Sequence, residues 1–168
     1  MSDDNDIGRN IFFGNQVGCC NSVESSYAGY SAPLHLLNAY TRGIEVVDEF
    51  GNSYGNSLCF FALVDGKLSF VIDSFEANGK LCANPVLTEE LLKFAKKVCE
   101  YVGCPNAEIV VGPNYNNFDM STFKKVEDKT IEILGSVCEP TYCDIVGGKY
   151  VQEQINQPVK NRTVFVRK

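Results

Sequence analysis

Cys19 and Cys20 stand side by side in a Gly- and Ser-rich stretch, and His35 is the only histidine in 168 residues. A thiol becomes a nucleophile when a base or a positive environment makes it a thiolate. His35 can supply the base, and Asp48 or Asp73 can orient it. These are the parts of a thiol hydrolase. The competing account is two inert thiols and a half-buried histidine on a leucine-rich helix, and only geometry separates the two. A second grouping repeats one spacing, Cys99-x4-Cys104 and Cys138-x4-Cys143. Four thiolates can hold zinc. Zinc knuckles usually space their ligands two apart in a turn, and Cys99 falls on an apolar helix stripe. Most of the eight cysteines sit inside apolar runs, so we read them as small hydrophobes and expect no metal.

The element that must position any such group is the stretch 66–112. It reads strand (GKLSFVIDSFEAN), loop (GKLCANPV), helix (LTEELLKFAKKVCEYVG), strand (CPNAEIVVG). Leu91, Leu92, Ala95, Val98, Cys99 and Val102 form one stripe at helical period, opposite Glu90, Lys93, Lys96, Lys97 and Glu100. Thr88 reads as the N-cap and Gly103 as the stop, with Pro105 preventing continuation. SFVIDSF and AEIVV supply flanking strands, and strand–helix–strand units usually pair their strands in parallel.

The remaining elements follow in order. Residues 1–32 read as a polar tail and a Gly/Ser-rich loop. PLHLLNAYTRG (33–43) reads as a short helix. Strands at 44–49, 57–64 and 67–77 form an antiparallel meander, with Asp65-Gly66 as a tight hairpin turn. A short helix is expected near Asp119–Val126, and strands at 130–140 and 163–168. The expected architecture is therefore α+β: a mostly antiparallel mixed sheet, one long crossover helix and short flanking helices. Residues 33–168 form a single domain.

Composition excludes several classes. The net charge is −6, and Lys and Arg are scattered, which disfavours nucleic acid and anionic membranes. No apolar run is long enough to span a bilayer. MSDDNDIGRN is acidic and polar rather than a secretory leader. The expected setting is the cytoplasm, where thiols stay reduced and a structural disulfide is not expected.

The element order resembles the Gcn5-related N-acetyltransferase (GNAT) superfamily, a likeness of layout over residues 33–168. It implies acyl transfer from acetyl-CoA to a small-molecule or peptide amine. The cofactor would lie where the strand at 67–77 splays from the strand at 107–112. Phe75, Asn78, Gly79 and Lys80 would line its pyrophosphate loop, at a helix N-terminus suited to anions. Asn114 and Asn117 would hold the pantetheine arm. Glu76 would be the base and Tyr115 the donor to the leaving thiolate. Asp73 and Glu76 are three apart, so in a regular strand they face opposite ways, and Glu76 lies nearer the strand end. The family's signature, (Arg/Gln)-x-x-Gly-x-(Gly/Ala), is replaced here by GKLCANPVLT, whose Pro85 has no N–H to offer. The alternative is a domain of this layout without a cofactor, serving as an interaction module for a protein partner. SSYAGYSAP and NYNNF would supply contact tyrosines.

Overall fold

A computed structural model describes residues 41–77, 79, 81–113, 117–134, 142–146, 149–150 and 158–168. The order is β1 (Thr41–Val47), β2 (Ser53–Val64), β3 (Lys67–Ala77), α1 (Pro85–Tyr101), β4 (Glu108–Val111), β5 (Phe123–Ile133), β6 (Tyr142–Cys143), β7 (Lys149–Tyr150) and β8 (Val159–Arg167). Single 3-10 turns lie at Met120–Thr122 and Asp144–Val146.

The meander forms as its alternation requires, and β3 and β4 pair in parallel across α1. The fold class is not the expected one. The sheet runs β1-β2-β3-β4-β8-β5, and β5 then returns to pair with β2. Five strands thus close into a barrel, with β1 outside it. The closing seam is Ala62–Val64 against Ile131–Ile133. It is latched by the β2–β3 turn. Asp65 and Gly66 take positive φ there, and the Asp65 carboxylate accepts Thr130 N–H at 2.8 Å and Lys129 Nζ at 2.6 Å. Those bonds hold its carboxyl below the usual range, the Lys129 contact being the largest cause.

Other boundaries also move. Thr41–Val47 is strand, so Gly43 ends no helix, and residues 33–40 lie outside the described residues. Asp119 caps a single 3-10 turn, not a helix to Val126, and the strand expected at 130–140 begins at Phe123. Among the described residues α1 is the sole α-helix, and none is long and apolar enough to cross a membrane.

Period-two alternation sorts the core into two layers. Phe60, Ala62, Val64, Val71, Val110, Ile131, Ile133 and Val164 fill the barrel, together with Ile145 and Val146 of the second 3-10 turn. Cys59, Phe70, Ile72 and Val111 face outward onto Leu91, Leu92, Ala95 and Cys99 of α1. Both faces of β2 and β3 are therefore covered, which explains their near-continuous apolar runs.

Candidate functional site

The alternation of β3 breaks at one place. Ser57 and Cys59 of β2 are two apart, yet their partners Phe75 and Ile72 are three apart. The extra residue makes a bulge at Asp73-Ser74, where the parallel pairing with β4 also ends at Ile72–Val111. The bulge returns Phe75 to the face of Ile72, under α1, where its ring meets Phe118 at 5.2 Å. Because of the bulge, Asp73 and Glu76 do not face opposite ways as they would in a regular strand.

Asp73 points inward with Val71 and is 2% exposed. Its Oδ2 accepts Asp144 N–H at 2.8 Å and its Oδ1 accepts Ile145 N–H at 2.7 Å. Asp73 thus holds the first two N–H groups of the 3-10 turn whose Ile145 and Val146 plug the barrel. Asp144 is itself 3% exposed. Burial first, and the Asp144 carboxylate second, push the Asp73 carboxyl up to about 7, against the pull of the two N–H bonds. The result is a carboxyl that holds or releases a proton near neutrality. From the sequence Asp73 reads as an orienter for His35, and Asp144 carries no signal of its own. The signal for Asp73 is its position inside VIDSF, since an aspartate in an apolar run needs partners.

Where the acyl-CoA cleft was expected, the end of β3 is tied to the segment that follows β4. Asn117 N and Nδ2 both donate to the Phe75 carbonyl, at 2.8 and 3.1 Å. The Asn117 carbonyl accepts Ala83 N–H at 2.8 Å, and its Oδ1 accepts the Cys82 thiol at 2.9 Å. One asparagine therefore ties the end of β3 to the loop entering α1. At the helix start, Asn84 Oδ1 accepts Val86 N–H and Leu87 N–H at 3.0 and 3.1 Å. Pro85 stands at the first helical position. The N–H groups of Ala83, Asn84, Val86, Leu87 and Thr88, around the helix start, are thus bonded within the chain. Thr88 is not the cap: it is buried, and its Oγ1 accepts Asp119 N–H at 2.9 Å.

Glu76 is half-buried opposite Asn56 on β2. A Cβ on Gly79 would meet nothing within 4 Å. Asn78, Lys80, Asn114, Tyr115, Cys19, Cys20 and His35 lie outside the described residues, as does Cys138 of the zinc spacing. Asp48, the other expected orienter of His35, folds back on its own loop and accepts three hydrogen bonds there.

Asn117→Ala removes two side-chain hydrogen bonds at roughly 1 kcal/mol each. The expected loss of about 2 kcal/mol lowers the thermal midpoint by about 4–8 °C. An unchanged melt would mean that the Asn117 side chain is not needed to tie β3 to α1. Comparison of the chain with protein-family models, with curated proteins and with solved structures finds no match in any of the three.

Proposed function

We propose that this domain is a protein-interaction module that presents Phe50 to an apolar pocket on a partner protein. The observation that carries this is the β1–β2 loop. Phe50 is 82% exposed, and Val47, at the end of β1, is 45% exposed. The loop beneath is braced by one carboxylate. Asp48 accepts Phe50 N–H at 2.9 Å, Asn52 N–H at 2.8 Å and Asn52 Nδ2 at 2.8 Å. The Asn52 side chain is the largest of the influences that hold the Asp48 carboxyl below its ordinary value. Gly51, at φ 85°, makes the turn possible.

An aromatic ring held over a rigid turn loses little entropy on binding, which is the property of an interface anchor. Glu49 is exposed next to it, and the chain carries −6 overall, so a basic rim on the partner fits best. The side-chain-filled barrel and the capped helix start favour this reading over acyl transfer.

Phe50→Ala is expected to leave the thermal midpoint within about 2 °C, because Phe50 is mostly exposed. It is expected to weaken partner binding about 30-fold, as loss of an anchor worth roughly 2 kcal/mol does. Proteins cross-linked to the native chain in its own cell extract, and lost with Phe50→Ala, are the readout. Equal capture by both forms overturns the reading. A clear rise in midpoint with millimolar acetyl-CoA would return attention to acyl transfer.

A further inference from the structure

The C-terminal end of α1 brings two free thiols together. Gly103 takes φ 80°, its N–H reaches the Glu100 carbonyl at 3.2 Å, and Cys104 N–H reaches the Cys99 carbonyl at 2.7 Å. This paired closure is a Schellman motif, in which the side chains at these two positions commonly touch. Through the 2.7 Å bond, standard bond lengths and the trigonal carbonyl angle cap the separation of the two Cα atoms at about 6.6 Å. That lies inside the roughly 4.4–6.8 Å that a disulfide bridges. Both residues are free cysteines.

They differ in access. Cys99 is 1% exposed and packs against the barrel, while Cys104 is half-buried. Burial pushes the Cys99 thiol up, and the Cys104 thiol adds in the same direction. A shallow cavity of about 190 Å³ opens beside Cys99, lined by Cys99, Pro105, Lys96, Glu108 and Arg167 among others.

We propose that Cys99 and Cys104 are a redox site that closes to an intramolecular disulfide by exchange with a low-molecular-weight disulfide of the glutathione type. The Cys104 thiolate attacks one sulfur of the oxidant, whose S–S bond breaks. A mixed disulfide forms on Cys104 and one glutathione thiolate leaves. Cys99 then gives its proton to solvent and attacks Cys104 Sγ. The Cys99–Cys104 bond forms, and the second glutathione leaves and is protonated. Two protein thiols are oxidised and one glutathione disulfide is reduced. This inference is independent of the Phe50 reading.

The test uses the full chain, equilibrated with glutathione disulfide at pH 8, acid-quenched, alkylated and digested with trypsin. Cleavage after Lys97 and Lys124 releases one peptide holding Cys99, Cys104 and no other cysteine. The native chain is expected to yield this peptide unalkylated and lighter by two hydrogens. Cys99→Ser is expected to trap the glutathione adduct on Cys104, and Cys104→Ser to leave Cys99 unmodified. A native chain that retains the adduct on Cys104, or alkylates at both thiols under these conditions, overturns the proposal. So does a bond from either thiol to a cysteine outside the peptide.

Discussion

Gly112→Ala is expected to cost about 4 kcal/mol or more and to lower the thermal midpoint by about 10 °C or more. Gly112 follows β4 at the point where β3 bulges. Its N–H donates to the Ile72 carbonyl at 3.0 Å, continuing the parallel pairing by one residue. A Cβ there would fall on the carbonyl oxygen of Asp73, with the Asp73 carbonyl carbon at 3.0 Å. Both atoms are backbone inside the barrel wall, so neither can swing aside as the end of a side chain would. Relief requires β3 and β4 to part beside the Asp73 carboxyl, which loosens its hold on the plug. Gly43→Ala is the control. It lies in β1 with nothing within 4 Å of its Cβ position, and is expected to change the midpoint by about 2 °C at most. Circular dichroism melts of the two variants decide the matter. Equal midpoints would show that the barrel wall yields at Gly112.

The sequence was informative where a period runs unbroken. The α1 stripe, the meander and the Asp65-Gly66 turn all follow from local spacing, and the structure contains each of them. Reading failed where a bulge breaks the period. Phe123 and Val126 are three apart, which imitates a helix turn. They lie on β5, whose register slips between Val126 and Lys129 around Asp128 at φ 58°. The same irregularity on β3 hid Asp73. Closure of the barrel was not legible, because Ala62–Val64 meet Ile131–Ile133 across nearly seventy residues. Apolar strands do not name their partners, and twist and bulges decide whether a sheet opens or closes. The helix start was legible but misread. Asn84-Pro85 is a capping residue followed by the proline that favours the first helical position, a stronger signal than Thr88.

Urea midpoints are expected to fall between pH 5 and pH 8, and Asp73→Asn is expected to flatten that slope. In the unfolded chain the Asp73 carboxyl titrates near 3.8, and in the fold it is pushed up to about 7. The folded state therefore binds the proton more tightly. The stabilisation is complete below about pH 4 and is lost as pH rises through about 7. Its size is on the order of 4 kcal/mol, since each pKa unit is worth about 1.4 kcal/mol. The groups against Asp73 are the Asp144 carboxylate and the two N–H groups of the plug, with the Cys59 thiol within electrostatic reach from β2. Burial drives that thiol far above the neutral range, so it stays uncharged throughout. Asp65, Glu90 and Glu127 are themselves exposed, and they and Asp48 are all held below their ordinary values by hydrogen-bonding partners. Their titration lies below the window, and exposed pairs add little. The diagnostic is thus the difference in slope between the native chain and Asp73→Asn, not the slope itself. Asparagine cannot ionise, and it keeps one carbonyl for the plug while its amide opposes the other N–H. The variant is therefore expected to be less stable than the native chain at pH 5 and to close the gap by pH 8. Amide exchange at Asp144 and Ile145 is expected to quicken over the same range in the native chain, as two facing carboxylates push the plug from the barrel. Parallel urea curves for the two proteins would mean that Asp73 keeps its charge state throughout, and that the plug answers to something other than this proton.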